Sequence, residues 1–85
     1  LSASLQGASL SNGEIKGGSK GIKVESVTKG SPAAQSGLQK DDVIIAVNRV
    51  RVQDITQLRK ALDAKPAVIA LNIVRGEENI YLLIR

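Results

Sequence analysis

The residues of this chain that could do chemistry are few, and their types favour binding over bond-making. His and Cys are both absent, so neither a Ser-His-Asp nor a Cys-His arrangement can be assembled. Serines are plentiful, but none has an evident base beside it. Asp41-Asp42 and Glu77-Glu78 are paired carboxylates that could hold a hard cation. Adjacent acids at such turns read instead as solvated turn formers. We expect no catalytic residue, no metal ligand and no cofactor. What remains is backbone chemistry, in the segment Lys16-Gly17-Gly18-Ser19-Lys20-Gly21. It fails as a phosphate loop: Gly13 and Gly18 have the required spacing, but Ser19-Lys20 then follow in the wrong order, and a strand-like run replaces the helix. Glycines ahead of a strand leave backbone N–H groups open to an anion, and the carboxylate at a peptide's C-terminus is such an anion.

The charge balance does not point to nucleic acid. The net charge is +4 and the pI about 9.8, but the 12 basic residues are spread along the chain and interrupted by 8 acidic ones. That is an ordinary solvated surface rather than a basic stripe. Tyr81 is the only aromatic residue, so a platform for stacking bases is missing as well. No apolar run approaches the ~20 residues of a membrane span, and no signal peptide is visible. Nine Ile, eight Val and nine Leu make the core aliphatic. With no Cys, no disulfide supports it. Residues 1–85 are expected to form one domain that buries only about 60% of its unfolded surface. The chain starts with Leu1 rather than Met, and we expect it to be a piece of a longer protein.

The elements that must position the glycine segment follow from local patterning. Leu1 to Leu10 alternates loosely and predicts a short first strand, with a turn at Ser11-Asn12-Gly13. Ile22 to Val27 predicts a second strand, with Ile22 and Val24 on one face and Lys23 and Glu25 on the other. Val27 breaks that alternation, as a bulge or a strand end would. Ser31 is a good N-cap, Pro32 suits the first helical position and Gly37 the left-handed residue after a short helix. Leu38 then folds back as a plug. Val43 to Val47 reads as a buried strand, Asn48-Arg49 as a turn and Val50 to Val52 as a short strand. Asp54 with Gln57 resembles a capping box. Ile55, Leu58, Ala61 and Leu62 recur at helical spacing, predicting an amphipathic helix over Ile55 to Ala64 that Pro66 stops. Ala67 to Val74 and Ile80 to Ile84 carry apolar residues on both faces and predict two central, covered strands. The fold class is mainly β with two helices: a small, partly open β-barrel or sandwich, closed on one side by a helix.

Several segments together resemble a known family: Gly21-Ile22-Lys23-Val24, Gly30-Ser31-Pro32-Ala33-Ala34, Gly37-Leu38, Asp42-Val43-Ile44, and Ala70-Leu71-Asn72-Ile73-Val74-Arg75-Gly76. The set is similar to PDZ domains, and most to the second, C-terminal PDZ domain of periplasmic HtrA/Deg serine proteases. The resemblance implies a circularly permuted bacterial PDZ topology, in which Ile80 to Ile84 takes the place usually held by the first strand. It implies that Gly21, Ile22 and Lys23 offer amides to a ligand's terminal carboxylate, and that Ile22 to Ser26 pairs with the ligand as an added strand. Leu58 and Leu62, with Ile22 and Val24, would form the pocket for its last apolar side chain; the same four could equally be core. Lys20 and Lys23 could draw in the anion or simply be solvated.

The parents in this family are ATP-independent periplasmic proteases and chaperones of protein quality control and the stress response. Their catalytic triad lies in another domain, and their second PDZ domain docks to PDZ domains of neighbouring subunits. The implied partners are thus C-terminal or extended peptides of misfolded proteins, together with those neighbouring domains. Two departures limit the carry-over. Lys20-Gly21-Ile22-Lys23 stands where many animal PDZ domains have Gly-Leu-Gly-Phe, and the helix near Asp54-Ile55 lacks the His that reads a Ser or Thr. An apolar last ligand residue is all that transfers. The alternative is a purely structural oligomerisation domain whose groove is closed or unused.

Overall fold

The computed structural model describes residues 5–15 and 17–84. The elements are β1 (Ala8–Glu14), β2 (Lys20–Val27), α1 (Pro32–Ser36), β3 (Val43–Val47), β4 (Val50–Arg51), α2 (Ile55–Asp63), β5 (Ile69–Arg75) and β6 (Glu78–Ile84). The strands form one antiparallel sheet in the order β1-β2-β3-β5-β6, with β4 paired to β3. The fold is mainly β with two helices, as the sequence predicts. Ile22, Val24, Ile44, Val47, Leu58, Leu71 and Ile73 fill the core between the sheet and α2.

The first strand and its turn differ from expectation. Residues 1–4 of the predicted strand lie outside the described residues. β1 runs straight through Ser11-Asn12-Gly13, pairing Gly13 with Gly21 and Glu14 with Lys20. The reversal comes later: the Ile15 N–H donates to the Ser19 carbonyl at 2.8 Å and the Gly18 N–H to the Ile15 carbonyl at 3.1 Å. A tight turn needs positive φ, which Gly17 and Gly18 supply at +98° and +88°. With two glycines available there, Asn12-Gly13 is free to stay extended.

Other local signals appear as read. Pairing passes from Leu10 opposite Val24 to Ser9 opposite Ser26, so Glu25 is an extra residue. The slip at Val27 is therefore a β-bulge. The Ser31 hydroxyl accepts from the Ala34 N–H at 3.2 Å, and Gly37 ends α1 at φ 105°, which lets Leu38 turn into the core. The Asp54 carboxylate caps α2 by accepting from the Gln57 N–H at 2.8 Å. Asn48 and Arg49 both take positive φ, the hairpin turn between β3 and β4. The Asn48 side chain also fastens the start of β5, accepting from the Ala70 N–H at 2.7 Å and donating to the Val68 carbonyl at 3.1 Å.

Two expectations need correction. Asp41 is an exposed turn residue at φ 74°, but Asp42 is not solvated: it is 0% exposed. Its carboxylate accepts from the Gln39 N–H and from Nε and Nη2 of Arg75, each at 2.9 Å. Nη2 of Arg75 also donates to the Gly37 carbonyl at 2.9 Å. A buried carboxylate requires a counter-charge and filled acceptor sites, and Arg75 provides both. The second correction concerns β6, which is an edge strand with an open outer face. Tyr81 is 69% and Leu83 64% exposed. Apolar residues on both sides of a strand do not by themselves supply a covering layer.

The Asp42 pair is testable by removing the cation. Arg75→Ala strands a buried carboxylate, and unfolding free energy should fall by about 3 kcal/mol, the low end for a broken buried pair because Arg75 is partly exposed. The readout is a lower urea midpoint at unchanged slope; Lys29→Ala, at an exposed position, should stay within about 0.5 kcal/mol. The hydrogen bond from Asp42 raises the Arg75 pKa. Stability from a cation whose folded pKa is raised is lost only as pH rises through that value. This contribution should therefore stay constant through neutral and mildly alkaline pH.

Candidate functional site

The residues that sequence analysis singled out do come together, but in the interior of the sheet. Gly21 to Val24 are paired on one flank with Gly13 to Leu10 of β1. On the other flank Ile22 lies opposite Ile44 and Lys23 opposite Val43. The Val24 N–H donates to the Asp42 carbonyl, and the Asp41 N–H to the Val24 carbonyl, each at 2.8 Å. Strand addition along Ile22 to Ser26 therefore has no open edge between Ile22 and Val24. Gly21 has a different reason to be glycine. A Cβ there would lie 2.7 Å from Val43 Cγ1 and 2.8 Å from the Ile44 carbonyl oxygen, so the close approach of β2 and β3 requires its absence. Ile22, Val24 and Leu58 have no exposed surface, and Leu62 is almost as buried. These four side chains meet in the core, with Leu62 at its margin. Lys23 lies 4.0 Å from the carboxylates of both Glu25 and Asp41, in exposed pairs that contribute little.

The open edge at this end of the sheet belongs to β1. It pairs with β2 alone, at the end of the strand order. The segment leading into it is fixed from behind: the Gln6 carbonyl accepts from the Ala33 N–H at 3.1 Å and the Gly7 carbonyl from the Thr28 N–H at 2.9 Å. The peptide bonds are trans, so each N–H points opposite to the carbonyl of its own peptide unit. The N–H groups of Gly7 and Ala8 are thereby turned away from α1 and β2, towards the free edge. Gly7 has φ +97°, and a Cβ on it would fall 2.2 Å from Ser31 Cβ. Only glycine fits at that bend.

The bonding of Val24 fixes the polarity of the rest of the edge. Its N–H and carbonyl face the segment before β3, so Leu10 opposite is a non-hydrogen-bonded partner, and the backbone groups of Leu10 face outward. By alternation, those of Ala8 and Asn12 do too. Ala8 and Leu10 pack against the core beside the buried Leu5. The side of this edge that faces α2 is therefore apolar. Farther along, Oδ1 of Asn12 accepts from the Ile55 N–H at 3.0 Å, joining β1 to the first turn of α2. A cavity of about 400 Å³ lined by Asn12, Gly13, Glu14, Lys20, Gln53 and Asp54 follows.

The open edge beginning at Leu5-Gln6-Gly7-Ala8 does not stand out in the sequence, because the denser glycine run lies one strand later. The available signal was a lone glycine between apolar residues, running into an alternating stretch of Ala8, Ser9, Leu10 and Ser11.

The sequence pattern of the PDZ domain matches residues 2–74. The chain belongs to the PDZ family. Along its whole length this PDZ domain is 65% identical to part of the periplasmic pH-dependent serine endoprotease DegQ of Escherichia coli K12. Over 81 residues it is 54% identical to the periplasmic serine endoprotease DegP of Salmonella typhimurium. It spans only 19% and 16% of those two proteins. Among solved structures, the HtrA3 PDZ domain bound to a phage-derived ligand, FGRWV, superposes with a TM-score of 0.75 at 25% identity, covering 92% of this chain and 79% of that one. No helix of the described residues is long and apolar enough to cross a membrane.

Amide hydrogen exchange tests the open edge of β1 directly. Ala8 and Leu10 should exchange fast, with outward N–H groups, while Ser9, Ser11 and Ile22 to Val24 should be strongly protected. Slow exchange at Ala8 and Leu10 in the free domain would mean that β1 is not an open edge.

Proposed function

We propose that this PDZ domain is the peptide-binding module of a longer periplasmic serine endoprotease of the DegQ and DegP type. In this reading it captures C-terminal segments of misfolded proteins for a catalytic centre elsewhere in the parent chain. The carrying observation is the free edge of β1 with the outward N–H groups of Gly7 and Ala8 at its start. A peptide lying antiparallel to β1 brings its terminal carboxylate to those two amides and forms its ladder with Ala8 and Leu10. Its last side chain then points towards Leu5, Ala8, Leu10 and Leu62, which favours an apolar residue. The HtrA3 ligand, ending in Val, is of that kind. Leu58, fully buried, holds α2 in place behind the site, and Gly21 to Val24 hold the strand on which β1 rests.

FGRWV is a suitable probe for calorimetry. The free acid should bind, and the C-terminal amide should bind about tenfold or more weakly, the worth of losing a charged acceptor. Ala8→Pro removes an outward N–H and leaves the β1–β2 ladder intact, as an edge strand permits; it should abolish binding with an unchanged circular dichroism spectrum. Equal affinity for acid and amide would rule out carboxylate capture, and tight binding by Ala8→Pro would rule out this edge.

A second role, docking to PDZ domains of neighbouring subunits, is supported by the open face of β6. Tyr81 and Leu83 are exposed on β6, opposite Asn72 and Ala70 of β5. The Asn72 Nδ2 reaches the Tyr81 hydroxyl at 3.4 Å, while its Oδ1 has no hydrogen-bond partner. In the full-length parent, Tyr81→Lys with Leu83→Lys should reduce the size of large assemblies in sedimentation without lowering peptide affinity of the isolated domain. Unchanged assembly size would remove this role, and with it the purely structural alternative built on that face.

A further inference from the structure

Asn12 stands where a peptide on β1 would reach its third set of hydrogen bonds. Its backbone groups face the free edge, like those of Ala8 and Leu10. Its side chain is already committed: Oδ1 accepts from the Ile55 N–H at 3.0 Å. That amide belongs to the first turn of α2, where no carbonyl of the helix itself can serve as partner. The remainder of the cap is local, with Asp54 accepting from Gln57 at 2.8 Å and Gln57 Oε1 accepting from the Gln53 N–H at 2.7 Å. Asn12 thus supplies a helix cap from across the groove and ties the edge strand to α2.

The tie leaves little room. An Asn side chain reaches roughly 3–4 Å from its Cα, and one hydrogen bond completes the crossing. An added strand alone lies about 4.8 Å from its neighbour, and its side chains need further space. Ala8 and Leu10 have no polar side-chain atom with which to make such a tie. The groove is therefore free to widen beside them and closed beside Asn12.

We propose that Asn12 is a length stop for the bound peptide. This rests on the reading that β1 is the ligand edge. The peptide pairs with β1 at Ala8 and Leu10 only, so the domain reads about four residues and turns the preceding chain out towards the cavity beyond Asn12. A client needs to expose no more than that short tail. The residues before it are not selected.

The test uses free-acid peptides of roughly four, six and eight residues sharing one apolar terminus, whose ladders would differ only beyond Leu10. They are measured on the wild type, Asn12→Ala and Asn12→Asp. Wild-type affinity should vary by less than about twofold with length, whereas Asn12→Ala should bind the longest peptide about fivefold or more tightly than the shortest. Asn12→Asp keeps an oxygen for the Ile55 N–H, with a charge suited to a helix N-terminus, and should behave as the wild type. The Ile55 amide should stay protected in the wild-type complex and become exchangeable in Asn12→Ala. A wild type that favours the longest peptide overturns the stop, as does an Asn12→Ala variant with a flat length profile. If FGRWV and every free-acid peptide fail to bind even the wild type, the ligand-edge reading falls and the stop falls with it.

Discussion

The Asp42 carboxylate is the constraint on which the arrangement of this sheet depends. Buried without exposure, it holds Gln39, Arg75 and, through Arg75, the Gly37 carbonyl in one cluster. The end of α1, the turn before β3 and the end of β5 are fixed relative to each other there. That turn is also backbone-bonded to Val24 on both its N–H and its carbonyl, which completes the inner flank of β2. With β2 closed on that side and covered by β1 on the other, β1 is left as the free edge at that end of the sheet. One ion pair thus helps to hold the inner flank of β2 closed. In a domain this small, where net stability is of order 5–10 kcal/mol, about 3 kcal/mol at one site is a large share.

The second structural requirement is that an open edge be presented without the chain around it loosening. Gln6 and Gly7 are held through their carbonyls by Ala33 and Thr28, so the amides that face outward are anchored from behind. Gly7 meets Ser31 too closely for any Cβ, and Ser31 is the cap of α1. The same helix start therefore positions the bend. Because the segment is already ordered, binding there loses little backbone entropy.

Legibility in the sequence follows the range of the interactions. Caps, turns and the bulge were readable because their partners are a few residues apart: Ser31 with Ala34, Asp54 with Gln57, Asn48 beside Arg49. Asp42 looked like a turn former because its partner lies 33 residues away. Which strand forms the edge is illegible for a related reason. Ile22 and Val24 alternate as they would in an edge or an interior strand, and only pairing with β3 separates the two. Gly21 carried a true signal, close backbone approach, but the approaching group is β3 rather than a carboxylate. The apolar composition of β6 predicts a covered strand because it records what a strand can bury, not what is there to bury it.

The short free edge also bears on what it can select. Exposed edges invite pairing with any extended chain, and proteins limit this by shortening or covering them. Here the bulge at Glu25 twists the pair, small polar residues Ser9 and Ser11 occupy one face, and the Asn12 side chain is bonded to α2 at the far end. Only the stretch from Ala8 to Ser11 remains. An internal segment of a partner would gain a few neutral hydrogen bonds, each worth about 1 kcal/mol, against the cost of ordering its chain. A C-terminus adds charge-assisted bonds to two fixed amides, each about 1.5–3 kcal/mol. On an edge this short the difference between those two sums is most of the binding energy. In the proposed binding mode, discrimination of chain ends from chain interiors therefore rests on backbone groups alone.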